Sequence, residues 1–370
     1  MKAMYDKGIV NKGNPARIIK VMNMALAGQP VKVGFIGGSI TAGSLASTKE
    51  TCYAYRVYSW WIEKFPLSEV SYINAGIGAT TSQFGVARVY PDLLQYNPDM
   101  VFAEFSVNDS DDDKFQETFE GLISSILSYE TSPALLMLNN VEYDSGNNAQ
   151  RVHNEVGFHY DLPIVSVRDS IYEEIVAGNL EISEITPDNL HPNDYGHELV
   201  AGLIINLLEK FYEEASSITD TNVHVTYELP EKPLTFNRYG KSVLRNNLNT
   251  EACLEGFSRD LEIKEEWDVF RNGWVGKKKG ARISLEVEAS LISIQYRKYA
   301  KHPAPIAKVT IDQEQDKEII LDGNFDEDWG DCLYLQDIMV AGKAGLHTVD
   351  IEIIEEVIGV NFYLASIITA

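Results

Sequence analysis

The chain has 370 residues, enough for about two domains whose cores need no disulfide or metal staples. Its 31 Lys and Arg stand against 55 Asp and Glu, and this formal net charge of −24 would repel phosphate backbones and anionic membranes. We therefore expect a folded protein with neither nucleic acid nor a membrane as partner; the sequence leaves the oligomeric state open.

From Val31 to about Ser217, short apolar runs alternate with longer amphipathic stretches, which is typical of a parallel sheet covered by helices. The apolar runs predict strands at 31–36, 70–73, 100–105, 134–138 and 164–167. The amphipathic stretches predict helices at 53–65, 83–96, 113–129, 149–160 and 194–214. Residues 1–217 are therefore predicted to form an α/β domain with a flavodoxin-like, doubly wound, five-stranded parallel sheet.

After residue 217 the pattern changes to short β-branched pieces separated by Gly, Pro, Asn and Asp. These pieces predict strands at 224–228, 281–287, 292–296, 307–311 and 348–354. No long helical period occurs there, so residues 218–370 are predicted to form an all-β sandwich or jelly-roll domain.

The three cysteines, Cys52, Cys253 and Cys332, lack the C-x-x-C spacing of a zinc or redox site, and we expect buried free thiols. No stretch approaches the ~20 apolar residues of a membrane span, and residues 1–28 lack the apolar core of a signal peptide. If Met1 is the natural start, a soluble cytoplasmic protein is expected. The histidines show no metal-ligand spacing, so no metal or other cofactor is predicted.

The first predicted strand runs into Gly37-Gly38-Ser39-Ile40-Thr41. Two glycines allow a sharp turn that brings a hydroxyl to the carboxyl edge of the sheet, where open α/β sheets place their active crevice. This suits Ser39 as a nucleophile with free N–H groups nearby. Taken alone, the segment fits a glycine-rich turn with a helix-capping serine equally well.

Two further strands end in small polar loops at the same edge. The second ends in Asn74-Ala75-Gly76-Ile77-Gly78-Ala79, whose N–H groups can face an anion, and the third ends in Ser106-Val107-Asn108-Asp109. The Asn108 amide is a candidate donor to a developing oxyanion, although Asn-Asp after a strand is also ordinary turn chemistry.

The segment before the last helix reads Asp188-Asn189-Leu190-His191-Pro192. A general base needs a third group to orient it, and an Asp three residues before a His supplies one. The conjunction of Ser39, Asn108 and this pair at one sheet edge favours nucleophilic catalysis over unrelated surface residues. Glu104, inside an apolar strand, needs a partner or a raised pKa, and Arg88 is its candidate partner.

These four segments resemble, in order and approximate spacing, the four sequence blocks of the SGNH (GDSL-like) hydrolases, over roughly the first 215 residues. The resemblance implies that Ser39 is the nucleophile, His191 the base and Asp188 its orienting partner. It also implies an oxyanion hole made of the Ser39 N–H, the Asn108 side chain and a backbone N–H of Gly78 or Ala79.

Two positions depart from the family pattern. Gly38 replaces the Asp that often precedes the nucleophile, as in sugar-esterase branches, and Ala79 stands near the usual glycine of the second block. The region after 217 resembles the jelly-roll modules of carbohydrate esterases, and its Trp267, Trp274 and Trp329 are candidates for stacking on sugars or for packing.

The sequence therefore predicts a metal-independent serine esterase that acts on a short acyl ester. The resemblance implies that the foremost substrates are O-acetyl groups of a saccharide. The alternative among enzymes is a lipase, a thioesterase or an acyltransferase that uses the same site. The alternative of another class is a carbohydrate-binding protein in which the β domain binds the ligand.

Overall fold

A computed structural model of the chain describes residues 1–217, 226–264, 268–314, 318–340 and 342–370. These residues form two compact units, Met1–Gly240 and Lys241–Ala370. The first unit is an α/β structure and the second is all β.

The first unit is built on a six-stranded sheet with the order β1-β6-β5-β4-β2-β3. Its strands are β1 (Ile9–Asn11), β2 (Val31–Gly37), β3 (Val70–Gly76), β4 (Met100–Glu104), β5 (Ala134–Asn139) and β6 (Ile164–Ser166). The strands β2 to β6 are parallel, as predicted, and follow the flavodoxin-like order. The sequence reasoning missed β1, a three-residue edge strand antiparallel to β6.

The helices of this unit cover both faces of the sheet in the doubly wound manner. They are α1 (Lys2–Lys7), α2 (Ala16–Leu26), α3 (Ser39–Ala42), α4 (Tyr53–Lys64), α5 (Ser82–Asp92), α6 (Asp113–Leu127), α7 (Gln150–His159), α8 (Glu173–Val176), α9 (Ile182–Ile185) and α10 (Asp194–Ser217), with 3-10 turns at Lys49–Thr51, Leu94–Tyr96 and Arg238–Lys241 and a π turn at Arg168–Tyr172. In α10, Leu199, Leu203 and Leu207 recur on one face and are fully buried, which is why the helix packs on the sheet.

The interior strands explain the apolar runs of the sequence. Every residue of β4 and β5 is buried, because helices cover both faces of a parallel sheet. The chain starts its parallel sheet at β2 and adds strands on both sides, β3 on one and β4 on the other. The direction of winding therefore reverses beside β2, and the loops after β2 and β4 meet at the crevice that such a reversal leaves.

The segment 226–240 belongs to the first unit, whereas the predicted boundary lies between residues 217 and 218. Residues 218–225 lie outside the described residues, but beyond them the chain packs on α6. The N–H groups of Leu234 and Thr235 donate to the buried carboxylate of Glu120 at 2.6 and 2.7 Å. Arg238 donates to Glu117 at 2.6 Å. Two buried carboxylates thus take their partners from this segment. No local sequence pattern predicts this pairing.

The second unit consists of two antiparallel sheets that share one apolar core. One sheet has the order β15-β12-β17-β10-β9, with β7 also on β17, and the other has the order β14-β13-β16-β11-β8. The strands are β7 (Val243–Arg245), β8 (Cys253–Glu255), β9 (Phe257–Arg259), β10 (Trp274–Gly276), β11 (Arg282–Ala289), β12 (Ile292–Lys298), β13 (Ile306–Ile311), β14 (Ile319–Asp322), β15 (Cys332–Met339), β16 (Gly345–Glu355) and β17 (Phe362–Thr369). The predicted sandwich is present.

The predictions for single strands, tryptophans and cysteines are confirmed only in part. Four predicted strands correspond to β11, β12, β13 and β16, whereas 226–228 form no strand and 224–225 lie outside the described residues. Trp274 is fully buried in the core, Trp329 is 54% exposed, and Trp267 lies outside the described residues. The cysteines are free, and Cys253 is exposed while Cys52 and Cys332 are buried, so the expectation of burial was wrong for Cys253.

Candidate active site

Ser39 is the first residue of the short helix α3, directly after β2 and the Gly37-Gly38 turn. Only 7% of Ser39 is exposed. Two contacts hold α3 in place: the Thr41 and Tyr53 hydroxyls lie 2.8 Å apart, and the Asn74 amide donates to the Thr41 carbonyl at 2.8 Å. The hydroxyl of Ser39 is therefore presented from a fixed backbone at the carboxyl edge of the sheet.

His191 and Asp188 lie in the loop before α10, 152 and 149 positions after Ser39 in the chain, yet all three side chains are connected. His191 Nε2 lies 2.8 Å from Ser39 Oγ, and His191 Nδ1 lies 2.7 Å from Asp188 Oδ2. This is the order of contacts in which a carboxylate orients an imidazole and the imidazole accepts a hydroxyl proton. The structure thus brings the three predicted side chains together.

The Asp188 carboxylate is held in its ionised form by its own loop. Partial burial raises its pKa, but hydrogen bonds from the His191 ring and from the N–H groups of His191 and Leu190 outweigh this effect, and the pKa falls from 3.8 to about 2. Thr186 donates a further hydrogen bond to Asp188 Oδ1 at 3.0 Å. The sequence reasoning missed Thr186; its position two residues before Asp188 is the only sequence signal for this contact.

Asn108 lies in the turn after β4 and its side chain rests against Gly38, the residue before Ser39. A Cβ atom built on Gly38 would lie 2.1 Å from Asn108 Oδ1 and 3.7 Å from Nδ2. Asn108 Oδ1 is buried without a hydrogen-bond partner among the described residues. The absence of a side chain at position 38 is therefore what lets the Asn108 amide lie against Gly38, the residue before Ser39.

Gly78 and Ala79 form the turn after β3, on the other side of Ser39. A Cβ atom built on Gly78 would lie 3.7 Å from Ser39 Cβ, so this backbone adjoins the hydroxyl. Ala79 has a φ of 54°, the left-handed conformation that favours glycine. No hydrogen bond within the described residues uses the N–H of Gly78 or of Ala79. Both N–H groups are thus without a partner among the described residues, in a turn that adjoins Ser39 at Gly78.

A buried pair supports the Asn108 turn from behind and was not predicted. Asp109 Oδ2 lies 3.0 Å from His153 Nε2, and Asp109 Oδ1 accepts the Ser82 N–H at 2.9 Å. The His153 ring stacks on Phe119 with 3.7 Å between centroids. Asp109 follows Asn108 directly, so this pair ties the turn to α5 and α7. The only sequence signal for the Asp109–His153 pair was the presence of Asp109 after Asn108. An Asn-Asp sequence is also common in turns, so this signal did not point to a buried pair.

Glu104, at the end of β4, has the raised pKa that its sequence context predicted, but its expected partner was wrong. Burial raises its pKa from 4.5 to about 7, although hydrogen bonds such as that of Ser106 lower it. Arg88 instead donates to the carbonyls of Ala75 and Gly37 and to Asp92, at 2.7, 3.0 and 3.1 Å. Arg88 therefore ties together the strand ends that carry the Ser39 and Gly78 turns.

Metal sites and membrane-spanning helices are both absent from the residues that the structure describes. These residues contain no group of three or more His, Cys, Asp or Glu side chains arranged to hold a metal ion. No helix among them combines the length and apolar character needed to cross a membrane.

Known proteins resemble this chain both in sequence and in fold. The model of the GDSL-like lipase/acylhydrolase family matches residues 35–199, the part that contains all the candidate site residues. A two-domain esterase active on acetylated mannans, solved with mannopentaose, shares 46% sequence identity at a TM-score of 0.93, over 99% of this chain and 97% of that chain. A second structure described as such an esterase shares 45% identity at 0.93, over 99% and 98%. No curated protein matches the chain.

Proposed function

Because this chain belongs to the GDSL-like lipase/acylhydrolase family and is a carboxylic-ester hydrolase, we propose that it removes O-acetyl groups from a saccharide of the mannan type, with Ser39 as nucleophile. The observation that carries the proposal is the continuous set of contacts from Ser39 Oγ through His191 to Asp188, 2.8 and 2.7 Å long. The substrate is drawn from the acetylated mannans on which the two similar esterases act.

In the proposed reaction, Ser39 Oγ attacks the acetyl carbonyl carbon while His191 Nε2 takes the hydroxyl proton. The tetrahedral intermediate then collapses, and the sugar oxygen leaves with the proton returned by His191. Water repeats the sequence on the acetyl-serine, with His191 again as base, and releases acetate. Asp188 holds the imidazole with Nε2 toward the serine and balances the charge that His191 acquires.

The oxyanion of each tetrahedral intermediate needs donors that are in place before the reaction. In this proposal they are the Ser39 N–H, the Asn108 side-chain amide, and the N–H of Gly78 or Ala79. Two features support these donors: the Asn108 amide lies against Gly38, and the N–H groups of Gly78 and Ala79 have no partner among the described residues. Metal ions have no part in this mechanism.

The test compares wild type with Ser39→Ala and His191→Ala, using p-nitrophenyl acetate and acetylated mannan as substrates. Each variant should lose nearly all acetate release, and the double variant should be little worse than either, because the members of a triad act as one unit. Ser128→Ala, at an exposed serine at the end of α6, is the matched control and should keep full activity.

Two outcomes would contradict the proposal. Activity retained in Ser39→Ala would exclude Ser39 as the nucleophile. A wild type that binds mannan without releasing acetate would indicate a carbohydrate-binding protein. A series of p-nitrophenyl esters with longer acyl chains separates a short-acyl esterase from a lipase, because only a lipase should prefer the longer esters.

A further inference from the structure

A polar groove lies beside the candidate active site, at the carboxyl ends of β4, β5 and β6. It has a volume of about 420 Å³ and is lined by residues 106, 107 and 109–111, by residues 142 and 145–148, and by Arg168. The polar residues that line it include Ser110, Asp111, Glu142, Asn147, Asn148 and Arg168. It contains none of the proposed catalytic residues.

The groove is built from the same segments that hold the proposed site. Ser106, Val107 and Asp109, which flank Asn108 in the chain, form one of its walls. The loop that forms the opposite wall is fastened to the catalytic loop at Asn189: the Tyr143 N–H donates to the Asn189 carbonyl at 2.7 Å, and the Asn189 amide donates to Asp144 at 3.2 Å. The turn that contains Asn108 thus reaches from Gly38, next to Ser39, to one wall of the groove.

The groove offers hydrogen-bond donors and acceptors side by side. Arg168 is exposed, makes one long contact of 3.4 Å to Asn148 Oδ1, and has no ion-pair partner within the described ranges of the chain. Asn147 is exposed with a 3.4 Å contact to Glu142. The Glu142 carboxylate accepts from the Ser145 hydroxyl at 2.7 Å and keeps further acceptor capacity.

This lining selects for one class of ligand. Glu142, and Asp111 beside its partner Arg151, bring negative charge to the groove and disfavour an anion there, although the groove also contains Arg168. An apolar ligand would cover the Arg168 guanidinium and the Asn147 amide, whose only side-chain contacts in the groove are 3.4 Å long, and would give them no partner, which costs free energy. Sugar hydroxyls both donate and accept, so a neutral oligosaccharide can satisfy the guanidinium, the amides and the carboxylates together.

We propose that this groove is a saccharide subsite for the sugar residues next to the acetylated one, with Arg168 and Asn147 as donors and Glu142 as acceptor. This inference rests on the proposed function, since it concerns the saccharide part of that substrate. It assigns the choice of polysaccharide to residues that do not touch the reacting ester.

The test is isothermal titration of mannopentaose into wild type, Arg168→Met and Asn147→Ala. Loss of one hydrogen bond from a charged donor weakens binding by about tenfold, so we expect a Kd at least about fivefold higher for Arg168→Met, and a smaller increase for Asn147→Ala. Lys20→Met removes a charge of the same sign from an exposed position of α2 outside the groove and should bind like wild type.

The two proposals fail in different ways. Hydrolysis of p-nitrophenyl acetate, which is too small to fill the groove, should stay within about twofold of wild type in both variants, because the groove supplies none of the donors at the reacting ester. Unchanged mannopentaose affinity in Arg168→Met, or no binding by wild type, would overturn the subsite. A wild type that binds mannopentaose through Arg168 but hydrolyses no ester would instead overturn the esterase mechanism and leave the subsite standing.

Discussion

Gly38 and Asn108 occupy complementary space: a Cβ atom at position 38 would lie 2.1 Å from Asn108 Oδ1. The φ of Gly38 is −85°, so backbone strain does not require a glycine there. The requirement comes from the neighbouring amide, which occupies the place of a side chain. The departure from the common family pattern at Gly38 is thus matched by the position of Asn108.

We therefore expect Gly38→Ala to displace the Asn108 amide and to lower kcat for p-nitrophenyl acetate. Because loss of one oxyanion donor typically costs ~10²–10³ in rate, the variant should approach Asn108→Ala. If Asn108 is the proposed oxyanion donor, the double variant should be no worse than either one, since both changes would remove that donor. Gly345→Ala is the control, because a Cβ there has no atom within 4 Å. Full activity in Gly38→Ala would exclude Asn108 as a donor.

Asp188→Asn should keep the fold but lower kcat by on the order of 10³–10⁴, because an amide favours the wrong imidazole tautomer and cannot balance the imidazolium charge. Asp6→Asn, which removes a surface carboxylate on α1, should leave kcat unchanged. Near-normal turnover by Asp188→Asn would mean that another group orients His191.

The same carboxylate predicts a stability difference at acid pH. The pKa of Asp188 is lowered from 3.8 to about 2 in the folded state, so its ionised form stabilises the fold above about pH 4 and this contribution disappears as the pH falls toward 2. Melting curves of wild type and Asp188→Asn should therefore converge over that range. A difference that stays constant from pH 5 to pH 2 would contradict the lowered pKa.

Glu104 predicts a pH dependence of the opposite sign. Burial raises its pKa from 4.5 to about 7, so folding favours the protonated form and the stabilisation is lost as the pH rises through 7. Glu104→Gln keeps the shape without the charge and should gain stability relative to wild type between pH 4.5 and pH 8. Urea unfolding at several pH values measures this, with the exposed Glu155→Gln as a control that should follow wild type.

The pairing of Arg238 with Glu117 predicts that the segment 226–240 stabilises the first unit. Arg238→Met leaves a buried carboxylate with fewer donors and should lower the free energy of unfolding by about 1.5–3 kcal/mol. Arg151→Met removes an exposed arginine that pairs with Asp111 and Glu155, and should have no measurable effect. Equal stability of both variants with wild type would show that the segment is only loosely attached.

Features with a short-range signal were predictable from the sequence. The five parallel strands, the helices between them and the candidate side chains at the strand ends follow from hydrophobic periodicity and from the rule that places crevices at carboxyl edges. The second unit was predicted as all β for the same reason. β17 was missed because all its residues are buried, so the alternation that marks a half-buried strand is absent.

Only the tertiary structure decided which groups meet across distant segments. Arg88 pairs with Asp92 and two carbonyls instead of Glu104, and Asp109 finds His153, because partners of buried charges depend on how helices pack and not on spacing along the chain. The left-handed conformation of Ala79 likewise depends on its turn and not on its residue type. The hydrophobic periodicity along the chain determines which face of a helix or strand is buried. The hydrogen-bond partner of a buried polar group, in contrast, comes from whichever segment the fold places next to it.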